Sequence, residues 1–478
     1  MQRKFTIKRN TIKKVVRHGK SAPSDTISSS ITGKTEAEDF HLNIITSSRV
    51  DTTHASRLRA PIEAESTAHK SKRKLRAAKN FALKSAPPIP TAPKDPLERK
   101  RRWLLSQAKI HIKLIDLPII ITTVLLSVLG VFAVYSTTLS YGSDRYVTIQ
   151  FFGMSVGIVI AVIMSLIDYR SIASKYHYIL GLNVFILLFT LVFGEGIAGS
   201  TTNQNWINIG PIQIQPSEFS KLLFIFSFAS HLSLVRDRMH KFSTVISLAI
   251  HALLIFGLIL LQGDIGILTI FFIIFICMCF AAGISMWYYV IGAVGVVCAS
   301  PFLWAKLDTY QKNRILLCFD PSIDPLGKNE RYQQMWSEKA IGNGGITGTG
   351  FTKGTTIQNF DSPQSAKHTD MIFSSICEEL GMIGALIILA LTVFIIFRAL
   401  RIALKTENLA GRYICVGIAS MFMIQVIENV GMCLGVLPVI GITYPFLSYG
   451  GSSIISCFIA IGMVLSVSTH REQNFFSQ

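Results

Sequence analysis

Residues 117–137 read LPIIITTVLLSVLGVFAVYST and contain no charged side chain. A helix of about 20 apolar residues spans the hydrocarbon core of a bilayer, so this stretch predicts a membrane span. Similar apolar runs recur along the rest of the chain, near residues 147–167, 176–193, 216–232, 242–261, 265–282, 287–305, 371–397, 412–434 and 446–467. The sequence therefore predicts an all-α integral membrane protein, a bundle of about ten transmembrane helices.

The composition supports the same class. Of the 478 residues, 50% are hydrophobic and 15% are charged, and the mean hydropathy is +0.46. Soluble domains carry about 25% charged residues, so a soluble globular protein is excluded.

The basic charge lies ahead of the first span. Residues 1–113 carry 26 Lys and Arg against 9 Asp and Glu, so they hold almost all of the net charge of +18. Residues 1–116 also have a proline cluster and no sustained apolar period, which predicts a disordered cytoplasmic tail. Its basic runs, at 72–79 and 99–102, stand before a membrane span, so we expect them to contact anionic lipid rather than nucleic acid.

The loop charges predict the orientation, because short loops rich in Lys and Arg stay in the cytoplasm. With a cytoplasmic N-terminus, the short inner loops carry Arg170, Lys175, Arg236, Arg238, Lys241, Arg398, Arg401 and Lys405. The short outer loops then carry only Arg145. We therefore predict a multi-pass protein of the cytoplasmic membrane with both termini inside and a membrane domain at residues 117–470. A long extracytoplasmic loop, residues 306–370, separates the seventh and eighth spans.

Two charged residues lie at the start of the fourth span. Glu218 and Lys221 are three residues apart, share one helix face and can form an ion pair. They fit either a helix cap beside a snorkelling lysine or, because ionisable groups are costly at membrane depth, a polar cavity. Glu378 and Glu428 lie in later spans. They predict a hydrated cleft within the bundle, and a proton or ion path is the alternative explanation of the same residues.

Glycines crowd one segment of the long loop, residues 342–350, which read GNGGITGTG. Gly345 and Gly350 have the spacing of a nucleotide-binding P-loop, but Phe351 stands where that motif requires lysine. The segment therefore predicts either a tight, adaptable turn or a row of backbone N–H groups near a substrate pyrophosphate.

His368, Thr369 and Asp370 end the long loop where the eighth span begins. An aspartate at such a position is often the N-cap of the helix. On the predicted topology, however, its carboxylate lies at the outer membrane surface. There it can act as general base for a sugar hydroxyl of a lipid-linked substrate.

The order of these motifs resembles the SEDS family (shape, elongation, division and sporulation), which includes RodA and FtsW. The matching segments include Asn205-Trp206, Gln215-Pro216-Ser217-Glu218 with Lys221, Tyr310 with Arg314, Asp324-Pro325-Leu326-Gly327, His368-Thr369-Asp370, Glu378-Glu379-Leu380-Gly381, Asn429-Val430-Gly431-Met432 and Ser448-Tyr449-Gly450-Gly451-Ser452-Ser453. They run through the whole chain after the tail. Residues 324–327, 354–355 and 468–471 look more similar to RodA than to FtsW.

The resemblance implies a peptidoglycan glycosyltransferase that polymerises lipid II outside the cytoplasmic membrane, in cell elongation, cell shape or division. Asp370 matches the family's essential aspartate. A divalent cation, Mg²⁺ or Mn²⁺, would offset the charge of the departing pyrophosphate. The implied partner is a class B penicillin-binding protein, which supplies transpeptidation.

Eight further residues are predicted to bind substrate or to line the polar cleft. They are Glu218, Lys221, Trp206, Arg314, His368, Glu378, Ser448 and Ser452. Three segments depart from the family pattern: residues 262–267 read QGDIGI, Trp336 replaces a usual Gln, and residues 361–367 lack the usual Leu-Pro-Glu.

Two other functions fit the same residues. A lipid II flippase would also need polar residues within a helical bundle, and a non-catalytic scaffold of an envelope-building complex would also use a long outer loop. Only the enzyme makes glycan chains from lipid II that is already outside, and only the enzyme depends on the Asp370 carboxylate.

Overall fold

The computed structural model describes residues 116–196, 205–209, 212–359 and 366–470. Apart from Asp116, the predicted basic tail lies outside the described residues.

Ten of the described helices are long and apolar enough to cross a membrane. They are α1 (Leu117–Thr138), α2 (Arg145–Leu166), α4 (Tyr176–Phe193), α5 (Pro216–Val235), α6 (Phe242–Leu261), α7 (Ile265–Ala282), α8 (Met286–Lys306), α12 (Ile372–Lys405), α13 (Leu409–Cys433) and α14 (Gly451–His470). Four shorter helices join them: α3 (Tyr169–Ala173), α9 (Thr309–Leu316), α10 (Tyr332–Gly344) and α11 (Thr355–Gln358). The predicted ten-helix membrane bundle is confirmed.

Asp116 shows how the sequence fixes the start of the first span. Its carboxylate accepts a hydrogen bond from the Ile119 backbone N–H, and Pro118 occupies the first turn, where a missing N–H costs nothing. Arg398, near the end of α12, forms an ion pair with the same carboxylate. One aspartate therefore both caps α1 and ties it to α12.

A small hairpin precedes the fourth span. Strands β1 (Ile207–Ile209) and β2 (Ile212–Ile214) pair antiparallel, with Asn208 opposite Gln213. Sequence periodicity did not predict this hairpin, because two three-residue strands are too short to show one. It leads directly into α5.

The interior of the bundle is formed by α5, α13 and α14, whose side chains are mostly buried. Helix α8 lies at the periphery, since its described side chains are exposed or half-buried. The long loop of residues 306–370 holds α9, α10 and α11. The loop is therefore folded against the bundle rather than being a plain connector.

Candidate active site

Asp370 lies in a tight turn just before α12. The backbone N–H groups of Thr369 and Met371 both donate to the Ala366 carbonyl at 3.0 Å, which closes the turn. Met371, not Asp370, occupies the N-cap position of α12, and no side chain caps the helix there. The Asp370 carboxylate is therefore not used as a helix cap. It is half-buried and available for chemistry.

Three consecutive backbone carbonyls of this turn accept hydrogen bonds from α13 and from the segment just before α14. The Tyr449 N–H donates to His368 O at 2.8 Å, and the Ser448 hydroxyl donates to Thr369 O at 2.7 Å. The buried Asn429 amide donates to Asp370 O at 2.7 Å. These three bonds hold the backbone without using the Asp370 carboxylate, which is the arrangement that a positioned general base requires.

The environment of Asp370 makes its carboxyl a stronger base than an ordinary aspartate. Burial raises its pKa to about 6, while the Thr369 hydroxyl and the Arg314 charge act in the opposite direction. Gly441 lies alongside, and a methyl group on it would stand 3.4 Å from Asp370 Oδ2. An aspartate with this pKa is ionised at neutral pH and still accepts a proton readily.

His368 is placed as a packing residue. Its ring lies 5.0 Å from that of Tyr146, 5.4 Å from that of Tyr449 and 5.7 Å from that of Tyr141. Burial and the Lys367 charge lower its pKa to about 4, so the imidazole is neutral at neutral pH. A neutral ring among three tyrosines fixes the turn and carries no charge to a substrate.

Glu218 and Lys221 form a second polar cluster, near the start of α5. Their side chains are almost fully buried, and Lys221 Nζ lies 2.9 Å from Glu218 Oε1. The Ser456 hydroxyl donates to the other carboxylate oxygen at 3.0 Å. The Lys221 charge also acts on Asp264 and Glu428. One lysine therefore faces three acids, which fits the predicted polar interior better than a snorkelling lysine.

Asp264 caps α7 beside this cluster. It accepts hydrogen bonds from the Ile267 N–H at 3.0 Å and from the Asn205 amide at 2.9 Å. Burial raises its pKa to about 6, with the backbone hydrogen bond from Ile267 as the largest opposing effect. Residues 262–267 depart from the family pattern, but their aspartate, Asp264, serves as the N-cap of α7.

Ser452 also serves this part of the bundle. Its hydroxyl accepts from the Gln215 backbone N–H at 3.2 Å, so it joins α14 to the start of α5. The backbone of Trp206 pairs with that of Glu195, which anchors the hairpin to the end of α4.

The glycine segment of the long loop packs into a break in α12. Gly381 has φ +66 and ψ −171, so the helix ladder is interrupted there. The Met382 and Ile383 N–H groups donate to Gly345 O and Ile346 O instead of to their own helix. The freed carbonyls of Glu378 and Glu379 accept from the N–H groups of Thr349 and Gly350, at 2.9 and 3.0 Å. These N–H groups are thus used in folding, which favours the tight-turn interpretation over a phosphate cradle.

Glu378 belongs to the same structural unit. Its side chain is fully buried, and its Oε1 accepts from the Thr356 backbone N–H at 2.8 Å. It therefore holds α11 against α12. The predicted site residues thus fall into three groups. Arg314, His368 and Ser448 lie around Asp370. Glu218, Lys221 and Ser452 form the second polar cluster, and Trp206 and Glu378 hold the hairpin and α11 in place.

We expect Gly348→Ala to lower the free energy of unfolding by about 1–3 kcal/mol. Gly348 has φ +80, and a Cβ on it would lie 2.1 Å from the Glu379 carbonyl oxygen, so the break in α12 cannot keep its geometry. Thermal unfolding of the purified protein in detergent measures the loss. Gly342→Ala is the matched control, since a Cβ there meets nothing within 4 Å. Equal stability of the two variants would contradict this role of the glycine segment.

The predicted divalent cation would need ligands from the substrate. Within the described ranges, no group of three or more His, Cys, Asp or Glu side chains could hold a metal ion. Mg²⁺ is often held by one or two carboxylates together with substrate phosphates, so such a cation would depend on the oxygens of the substrate.

Two residues of the site had weak sequence signals. Asn429 is an amide within an apolar helix, and such a group needs partners; it holds both Asp370 O and Ile442 O at 2.7 Å. Tyr310, one turn before Arg314, stacks under its guanidinium. The spacing of four residues on a helix is the signal that predicts such a pair.

The model of the FtsW, RodA and SpoVE family, described as cell cycle protein, matches residues 116–473. Stage V sporulation protein E of Bacillus subtilis (strain 168) is 34% identical over 369 residues, which cover 74% of this chain and 97% of that protein. Peptidoglycan glycosyltransferase MrdB of Escherichia coli (strain K12) is 33% identical, over 67% of this chain and 84% of that protein.

Solved structures agree with the fold. One described as a peptidoglycan synthase complex coordinating polymerization and crosslinking has a TM-score of 0.64 and 27% identity, covering 75% of this chain and 99% of that chain. The rod shape determining protein RodA of Thermus thermophilus has a TM-score of 0.56 at 24% identity, covering 75% of this chain and 98% of that chain.

Among the sequence relatives, a probable peptidoglycan glycosyltransferase FtsW of Geobacter metallireducens is 35% identical over 75% of this chain and 95% of that protein. The similarities therefore do not separate a RodA-like from an FtsW-like or SpoVE-like role.

Proposed function

Because this chain belongs to the FtsW, RodA and SpoVE family, we propose that it is a peptidoglycan glycosyltransferase that polymerises lipid II at the outer face of the cytoplasmic membrane. The observation that carries the proposal is the Asp370 turn. Its three carbonyls are fixed by hydrogen bonds, and its carboxyl has a pKa raised to about 6. Two relatives named peptidoglycan glycosyltransferases support the reaction class.

The reaction follows from the position of the base. The Asp370 carboxylate takes the proton of the acceptor GlcNAc 4-hydroxyl as that oxygen attacks the anomeric carbon of the lipid-linked donor. A new glycosidic bond forms, and the bond from the anomeric carbon to the pyrophosphate oxygen breaks. The electron pair and charge leave on undecaprenyl pyrophosphate. Asp370 is left protonated and returns its proton to solvent.

The partner and the cation belong to the same proposal. A class B penicillin-binding protein would cross-link the strands that this chain makes, and the solved relative described as a polymerization and crosslinking complex supports such a pairing. Mg²⁺ or Mn²⁺ would neutralise the pyrophosphate while it is bound. The RodA-like subtype stays a prediction from residues 324–327, 354–355 and 468–471.

Purified chain and lipid II, with and without a class B penicillin-binding protein from the same organism, test this function. We expect glycan strands on a denaturing gel, and more of them when the partner is present. The absence of glycan under both conditions, with a correctly folded chain, would contradict the proposal.

The topology can be tested separately by cysteine labelling. We expect a membrane-impermeant maleimide to label Lys353→Cys on intact cells, because the exposed Lys353 lies in the loop that we place outside. Glu407→Cys, in the short loop after α12, is the control and should react only after permeabilisation. Both are made in a Cys277→Ser, Cys298→Ser, Cys318→Ser background, since these three cysteines are exposed or half-buried. The reverse labelling pattern would refute the topology.

A further inference from the structure

Arg314 is held rigidly at the end of α9. The helix begins with a reciprocal capping box between Asp308 and Gln311. One turn on, the guanidinium carbon of Arg314 stands 4.3 Å from the centre of the Tyr310 ring, and its Nη1 donates to the Val439 carbonyl at 2.6 Å. Stacking and a hydrogen bond therefore fix the plane of the guanidinium.

Within the part of the chain that the structure describes, one buried nitrogen of this guanidinium has no acceptor. Arg314 Nε is buried and has no hydrogen-bond partner within the described residues. A buried donor without an acceptor is costly, more so on a charged group. The arrangement therefore lacks an acceptor at this nitrogen, and an anionic oxygen is the natural one.

The same guanidinium acts on Asp370. Its acceptor Val439 lies two residues before Gly441, which stands against Asp370 Oδ2. The Arg314 charge lowers the pKa of Asp370, against the larger effect of burial. Within the described residues no ion pair joins Arg314 to Asp370. The cation thus influences the base without being bound to it.

Other charged groups near the turn are engaged elsewhere. Lys367 Nζ donates to the Ser140 hydroxyl at 2.8 Å and lies over the Tyr141 ring, and His368 is neutral at neutral pH. From α10, Glu338 faces Arg331 at 3.7 Å. From α13, the facing groups are the Cys433 thiol and the Asn429 amide, which contact Asp370 O. Arg314 is therefore the charge that acts on the carboxylate from across the site.

We infer that Arg314 binds the pyrophosphate of the lipid-linked donor and that this contact strengthens Asp370 as a base only once the donor is in place. The inference rests on the proposed polymerase function. Guanidinium groups bind phosphate oxygens through charge-assisted N–H donors, and within the described residues the Nε of Arg314 has no acceptor. Before binding, the cation weakens the basicity of Asp370. The bound pyrophosphate cancels that charge and adds negative charge, so proton uptake by Asp370 becomes more favourable.

The pH dependence of lipid II polymerisation tests this charge coupling. The fall of kcat/KM at acid pH, its acid limb, reports the pKa of the base in the free enzyme. The fall of kcat at acid pH reports the pKa of the base in the enzyme with donor bound. We expect the wild-type kcat limb to lie at higher pH than the kcat/KM limb. Arg314→Gln should move the kcat/KM limb upward by roughly 1 pH unit, because the free enzyme loses the cation that favours ionised Asp370. Coinciding limbs in the wild type would overturn the inference.

The Arg314→Lys variant separates charge from geometry. Lysine keeps the positive charge but not the planar paired donors, so it should leave the kcat/KM limb near its wild-type position. Both variants should weaken inhibition by added undecaprenyl pyrophosphate about tenfold or more, through lost charge-assisted hydrogen bonds. Arg331→Gln is the matched control, and we expect neither inhibition nor limb position to change with it.

The outcomes distinguish this inference from the proposed function. If Arg314 only braces α9 against residue 439, both variants lose thermal stability while inhibition and limb positions stay as in the wild type, and the inference fails. If the wild type polymerises and Asp370→Asn does not, the proposed function stands whatever Arg314 does. A wild type that forms no glycan overturns both.

Discussion

Asp370→Asn should reduce the initial rate of glycan formation by about 10² to 10⁴, the usual contribution of a general base. Asparagine has nearly the same shape but cannot accept the proton of the acceptor hydroxyl. The fold should survive, because Asn429 binds the backbone carbonyl at this position and the turn does not rely on the carboxylate. Thermal stability in detergent should therefore match the wild type. Glu407→Gln, which removes an exposed carboxylate from a distant loop, is the control and should keep full activity.

The pH profile of the wild type gives an independent check on the same residue. Asp370 must be ionised to act as base, and its pKa is raised to about 6. Activity should therefore fall about tenfold per pH unit below that value, a loss that begins at higher pH than for an ordinary aspartate. Any residual activity of Asp370→Asn should lack this limb. A wild-type limb near pH 4 would show that burial does not tune the base.

Lys221→Met should destabilise the protein by about 3–5 kcal/mol, the usual cost of breaking a buried ion pair from one side. Lys221 faces Glu218 at 2.9 Å, and its charge also acts on Asp264 and Glu428. Its removal leaves buried acids without a counter-charge. Glu218→Gln should cost less, because Lys221 keeps two other acids nearby. Thermal unfolding of purified variants in detergent measures both.

The double variant decides whether the two residues act as one unit. Adding Lys221→Met to Glu218→Gln should cost less than Lys221→Met alone, because Glu218, the acid that forms the ion pair with Lys221, is then already neutral. Lys175→Met, at an exposed position, is the control for loss of a lysine. Additive losses in the double variant would show that the pair is not a unit. The prediction also fails if Lys221→Met unfolds at the wild-type temperature.

The membrane helices were predictable because hydropathy is a local property. Each span needs about 20 apolar residues in sequence, and the observed helices start and end within a few residues of most predicted ones. The long helix α12 begins at Ile372, one residue after the predicted start at Met371. The hairpin at residues 207–214 was missed, because three-residue strands carry no readable alternation.

The long-range contacts of the site were not predictable in this way. The glycine segment exchanges hydrogen bonds with α12 around Gly381, and no spacing within the segment indicates partners 29 to 37 residues away. Likewise, Asn429 and Ser448 hold the carbonyls of Asp370 and Thr369 from elements that meet only in the folded bundle. Asp370 could be put forward as the base from the sequence, because resemblance to a family transfers a residue without requiring its contacts, and this assignment stays a prediction.

We propose that the Asp370 carboxylate serves glycan synthesis and not the transport of lipid II. It is tested most directly in proteoliposomes that contain fluorescent lipid II and either wild-type chain or Asp370→Asn, with the class B penicillin-binding protein present in both. Glycan strands are measured by gel and transfer of lipid II between leaflets by quenching, from the same sample. We expect glycan only with the wild type and no difference in lipid II transfer between the two proteins. Near-normal glycan formation by Asp370→Asn would refute the role of this residue as the base, and transfer of lipid II without glycan by the wild type would refute the polymerase function.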